Sequence, residues 1–123
     1  GWSMMVMSLD LTAESAASWA NLVVWGFKDK VMQSLRDRQP GYGESFWVFN
    51  RGNGDVVLEG LKRLDQPDWA PPVSDNAWVM TGPPAKDYTV PEGVQVWVWN
   101  GHFFELIPAG EKLPAGRAAW FWQ

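Results

Sequence analysis

The spacing of hydrophobic positions changes once along the chain, near Gly43. Before it, Ala20, Val24, Phe27, Val31 and Leu35 recur three or four residues apart. That spacing lays one apolar stripe along a helix, and it predicts a helix from about Thr12 to Arg38. Asp10 or Thr12 can cap its start, and Glu14 places negative charge in the first turn, where the helix dipole favours it. Lys28, Lys30, Arg36 and Arg38 crowd the C-terminal half with the opposite sign, while Trp19, Trp25 and Met32 widen the stripe. Gln39-Pro40-Gly41-Tyr42-Gly43 ends it, because proline disfavours a helical residue before it and glycine breaks the turn. A helix this broadly apolar calls for a sheet beneath it.

After Gly43 the pattern is that of short strands and turns. Phe46-Trp47-Val48-Phe49 is fully apolar, Arg51-Gly52-Asn53-Gly54-Asp55 reads as a turn, and Val56-Val57-Leu58 returns, which predicts a first hairpin. Ala77-Trp78-Val79-Met80 is a further strand between two Pro-rich loops, 65–76 and 82–93. The clearest local signal is Asn100-Gly101 between Val94–Trp99 and His102–Ile107. Asn-Gly flanked by apolar runs favours a two-residue hairpin turn with both residues at positive φ. That turn sets Trp99 opposite His102, Val98 opposite Phe103, Trp97 opposite Phe104 and Val96 opposite Glu105. Opposed residues share a face. One face then carries Trp97, Trp99, His102, Phe104 and Leu106, and the other Val94, Val96, Val98, Phe103, Glu105 and Ile107. A last strand, Ala118–Trp122, projects Trp120 and Trp122 to one side. The expected fold is therefore α+β: one long N-terminal helix on an antiparallel sheet of about five or six strands, free to curl strongly toward a half-barrel. A single domain is expected over residues 8–123. Residues 1–7, with Gly1 resembling a protease scar and Met4, Met5 and Met7 each a potential start, read as a tag or disordered start.

Composition sharpens this picture in one respect. Ten of the 123 residues are tryptophan, more than a small core ordinarily needs. Both faces of the Asn-Gly hairpin are apolar, and one helix covers only one of them. The other must meet a second layer, a subunit or a ligand. The net charge of −4 provides no basic stripe for nucleic acid, and no apolar run approaches the length of a membrane span, so neither partner is expected. The absence of cysteine removes thiolate chemistry, Fe–S clusters and Cys-type zinc sites and fits a cytoplasmic protein.

The candidate ligand-binding residues are Trp97, Trp99, His102, Phe104, Glu105, Trp120 and Trp122. The aromatic members form a platform able to stack a sugar ring or hold a cationic or flat hydrophobic ligand. The competing reading is that this face is core. His102 is the single histidine, with no second histidine at metal-ligand spacing and no nucleophile elbow around a serine. Glu105, if buried, would serve as an acid catalyst or a counter-charge; otherwise it is a strand-edge glutamate in solvent. Glu44, Asp55 and Glu59 are further carboxylates near strand ends. The glycine-rich 51–55 segment joins strands without a following helix, so it is a turn and not a phosphate cradle. Trp69-Ala70-Pro71-Pro72 is either a partner-docking segment or a loop that folds its Trp onto the body.

Three functions follow. The first is a small acidic, bacterial-type, non-catalytic binding module with an aromatic-lined pocket for a small molecule. The second is a structural or interaction protein of phage, immunity or mobile-element type, forming a homodimer through its aromatic face. The third is an enzyme using His102 with a carboxylate. No catalytic residue, metal or cofactor is assigned.

Overall fold

The computed structural model describes residues 1–13, 22–28, 30–36, 38–52, 59–63, 68–72 and 75–123. Among these the regular elements are twelve β-strands and no helix, so the fold is all-β and not the α+β arrangement expected from the apolar spacing. The segment expected to be helical holds a tight hairpin of β3 (Leu22–Lys28) and β4 (Val31–Ser34), paired from Trp25↔Ser34 to Lys28↔Val31. The part of the expected helix at 14–21 lies outside the described residues.

The reason for the difference lies in β3 itself. Leu22-Val23-Val24-Trp25-Gly26-Phe27 is apolar throughout, so it satisfies a period of two as readily as one of 3.6. Its valines and aromatics suit a pleated surface, and glycine is a poor helix residue. Gly26 also has a packing role: a Cβ there would lie 3.1 Å from Leu35 Cδ1 and 3.2 Å from Glu44 Oε2. Lys28 and Lys30, expected to complement a helix dipole, instead end β3 and lie in the hairpin turn respectively, with Lys30 at φ +64°.

β5 (Ser45–Asn50) lies between β3 and β1 (Trp2–Val6), giving an antiparallel sheet in the order β1-β5-β3-β4. Both edges of β5 are thus occupied, and the hairpin expected between 46–49 and 56–58 has no edge on which to form. Residues 53–58 themselves lie outside the described residues. The opening segment, set aside above as a tag or disordered start, supplies core: Met4 and Val6 are buried within β1.

The second sheet has the order β10-β9-β12-β7, from β7 (Val79–Thr81), β9 (Gln95–Trp99), β10 (Phe104–Leu106) and β12 (Ala119–Trp122). Two short ladders complete the fold. One pairs β2 (Asp10–Leu11) with β6 (Gly60–Leu61), and the other pairs β8 (Tyr88–Thr89) with β11 (Lys112–Leu113).

The two sheets join at β1. Its free edge receives the approach to β12: Val6 N–H donates to Gly116 O at 2.9 Å, Ala118 N–H donates to Met4 O at 3.4 Å, and Met5 bridges Arg117. Gly82 permits this junction, since a Cβ there would stand 2.2 Å from Arg117 O and 2.8 Å from Val6 Cγ2. Behind the first sheet, Met7, Val24 and Phe46 form a buried cluster closed by Leu9, Leu11, Leu22, Leu35 and Val48. No helix among the described residues is long and apolar enough to cross a membrane.

Candidate functional site: an aromatic cleft between the sheets

The Asn-Gly hairpin forms, with a register two residues away from the expected one. Trp99 opposes Phe104, not His102; Val98 opposes Glu105, and Trp97 opposes Leu106. Asn100 is the cause. Its side-chain Oδ1 accepts from the backbone N–H of His102 at 2.9 Å and of Phe103 at 3.0 Å, while its own N–H donates to Phe103 O. This local side-chain capture makes a four-residue loop, 100–103, in which Gly101 alone takes positive φ, +102°. A shift of two residues leaves every strand side chain on its expected face, whereas a shift of one would have inverted them.

Both faces of the second sheet are apolar, as the sequence indicates, and each is covered differently. On one face Val96, Val98, Ala119 and Phe121 join Val90 and Leu113 in a buried cluster. Trp69 folds back over it, meeting Tyr88 at 5.2 Å and Phe121 at 5.7 Å between ring centroids, both edge to face. The Pro-rich loop therefore packs its tryptophan on the body, and the docking-segment reading of Trp69 falls away. Burial in this layer raises the Tyr88 hydroxyl above its ordinary pKa.

The other face carries the tryptophans. Trp120 stands directly opposite Trp97 and Met80, and Trp122 opposite Gln95. Its inner end packs on the first sheet through Met4, Val6, Met80 and Ala118, with Phe27, Met32, Trp47, Trp99 and Trp120 around them. Ring contacts tie the sheets together: Phe27 to Trp120 at 5.4 Å, Trp47 to Trp99 at 5.8 Å and Trp47 to Phe104 at 6.2 Å. Trp99 is fixed further by its indole N–H, which donates to Trp2 O at 3.1 Å, and by Arg117, which donates to Trp99 O at 2.7 Å.

The outer end of this face is not covered. There, Trp78, Gln95, Trp97, Phe104 and Trp120 line an open groove of about 580 Å³. The lining is almost wholly apolar, and its one polar side chain is Gln95, whose Oε1 accepts from Trp97 Nε1 at 3.2 Å. Among the described residues no acceptor takes the indole N–H of Trp78 or Trp120. Beyond the groove the Trp122 ring lies tilted against Trp78, with centroids 5.3 Å apart.

Of the seven residues singled out from the sequence, the groove gathers Trp97, Phe104 and Trp120. Trp122 reaches it through Trp78, and Trp99 lies behind it in contact with Phe104. His102 and Glu105 stand apart. His102 is exposed in the loop, held by its backbone N–H and not by its ring. Glu105 is exposed on the opposite face, accepting from Asn100 Nδ2 at 2.9 Å, so the burial that would have made it an acid or counter-charge is absent. Sequence reasoning missed Gln95 and Trp78. Strict alternation from Trp97 and from Met80 would have placed each on this face. Among the described residues no three His, Cys, Asp or Glu side chains gather as a metal site.

The carboxylates that do acquire partners serve structure. Glu44 makes a two-pronged ion pair with Arg38, both bonds 2.6 Å, and also accepts from Gly41 N–H. The guanidinium is the main reason its pKa lies below the usual range. Asp10 is lowered likewise by Arg63, whose guanidinium also lies 4.1 Å from the Tyr42 ring centroid. No protein-family model matches this chain, and neither the curated proteins nor the solved structures give a significant match, so the functional reading rests on the chemistry of the groove.

Proposed function

We propose that this protein is a non-catalytic binding module and that the Trp97–Trp120 groove holds a small ligand with one flat apolar face. The observation that carries the reading is the groove itself: about 580 Å³, lined by four aromatic rings and a single side-chain amide. Its volume falls in the range of small-molecule sites, about 300–1,000 Å³, and such sites combine apolar walls with a few orienting polar groups. The lining contains no carboxylate, which counts against a cationic ligand as the preferred occupant. The groove is open on one side, so a bound molecule keeps one edge in water. A ligand with an apolar face and a hydrogen-bonding rim meets both conditions.

The test is a thermal-stability panel of oligosaccharides, cationic amphiphiles, nucleotides, fatty acids and flat aromatics, repeated on W97A. A ligand at 100 times its Kd stabilises the native state by about 2.7 kcal/mol. A Tm rise from one class that W97A abolishes supports the groove as the site. A flat response to the whole panel removes the reading.

One observation favours self-association as a second reading. β10 is an edge strand, and Phe104, Glu105 and Leu106 are all exposed along it. Exposed apolar edge strands invite pairing with another chain. Sedimentation across a hundredfold concentration range decides this independently of any ligand.

A further inference from the structure

A second groove lies where the first sheet meets Trp99 of β9, about 390 Å³ in volume and lined by Trp2, Trp25, Met32, Trp47 and Trp99. Only a single layer of rings separates it from the first. Phe104, in the wall of the first groove, touches Trp99 at 5.0 Å and Trp47 at 6.2 Å, both in the wall of the second. The partition has a second point of contact. Trp120 of the first groove meets Phe27, which is paired in register with Met32 of the second. The two grooves therefore adjoin and share an aromatic lining with no charged side chain in either.

We infer that the two grooves are neighbouring subsites for one neutral linear oligosaccharide, each stacking a separate sugar unit. The inference rests on the binding-module reading above and names its ligand class. A pyranose ring presents an apolar C–H face that suits an indole. Its hydroxyl rim suits a side-chain amide, and Gln95 in the lining of the first groove supplies one. A charged polymer finds no counter-ion in either lining. A compact single-ring ligand leaves the second groove without a role, whereas a chain of rings crosses a partition one ring thick. Occupying two linked subsites multiplies affinity without new kinds of contact.

The deciding experiment is calorimetric titration of the wild-type chain with linear β-glucan, chitin, xylan and α-glucan oligomers of increasing length. Within the series that binds, Kd should fall at least tenfold between the shortest ligand and one long enough to reach both grooves. Trp25 and Trp2 are each 39% exposed, so removing either ring leaves the fold standing. In W25A, and separately in W2A, the long oligomer should lose that gain and bind like the short one. F103A, altered in the exposed hairpin loop outside both grooves, should behave as wild type. An affinity independent of length, but abolished by W97A, would overturn the two-subsite inference and leave the binding module intact. Binding of a proline-rich peptide or an apolar ligand in place of every oligomer, still sensitive to W97A, would overturn the carbohydrate assignment alone. An absence of any W97A-sensitive binding would overturn both.

Discussion

The second sheet has two apolar faces, and comparing them separates a sealed core from an open aromatic surface within one element. On one, Val96, Ala119 and Phe121 are fully buried beneath β8, β11 and Trp69. On the other, alternate residues of the same strands, Trp97, Trp120 and Trp122, remain half-buried. The residue types differ accordingly. Valines, Leu113, Ala119 and the single strand ring of Phe121 fill the closed face, where close packing stabilises the fold. Large rings stand on the open face, where the first sheet reaches only the inner end. Apolar character alone does not distinguish a core from a site; the distinction comes from whether a second layer extends far enough.

The largest expected effect comes from the closed face. F121A should destabilise the fold by about 3–5 kcal/mol, as large-to-small truncations in filled cores do. Chemical denaturation measures it. A cost below about 1 kcal/mol would mean that the closed face is not the core. W97A should reverse the balance: a stability loss of about 1 kcal/mol or less, with an affinity loss on the order of 30-fold for whichever ligand binds, equivalent to about 2 kcal/mol. Equal losses in both variants would erase the contrast between the faces.

Acid should act on the frame before it acts on the groove. Glu44 has a folded pKa below its unfolded value because of Arg38. Its contribution to stability is therefore complete above about pH 4.3, the ordinary glutamate value, and is lost as pH falls through the lower folded value. The contribution is small, because Arg38 is half exposed and solvent screens the pair. No residue lining the first groove titrates in that range, so ligand affinity should stay level from pH 8 to pH 5 while Tm begins to fall only below about pH 4.3. E44Q should flatten that acid limb. The smallest effect is expected from H102A, within about 0.5 kcal/mol of wild type in stability and unchanged in ligand binding. A loss of binding in H102A would draw the hairpin loop into the site.

Much of the site was legible in the sequence, and less of the fold. The period-two pattern around Asn100-Gly101 assigned Trp97 and Phe104 to one face, and the assignment survived a register different from the expected one because the slip was by two residues. Trp120 followed from the same alternation in the last strand. The long helix failed because Leu22–Phe27 is apolar at every position, which leaves periodicity without information. His102 fell in the loop and not on the strand because Asn100 bonded its neighbours' N–H groups in preference to forming a two-residue turn, while Glu105 kept its expected face and is exposed there.

Local alternation, turn residues and the excess of tryptophan were determined by the sequence alone, since they depend on side-chain period and composition over a few residues. The tertiary structure decided which apolar face is sealed, which strand lies beside which, and that β1 joins two sheets whose tryptophans meet. Those outcomes depend on non-local pairing: β1 lies between β5 and the approach to β12, segments far apart in the chain, and no short window of residues records that contact.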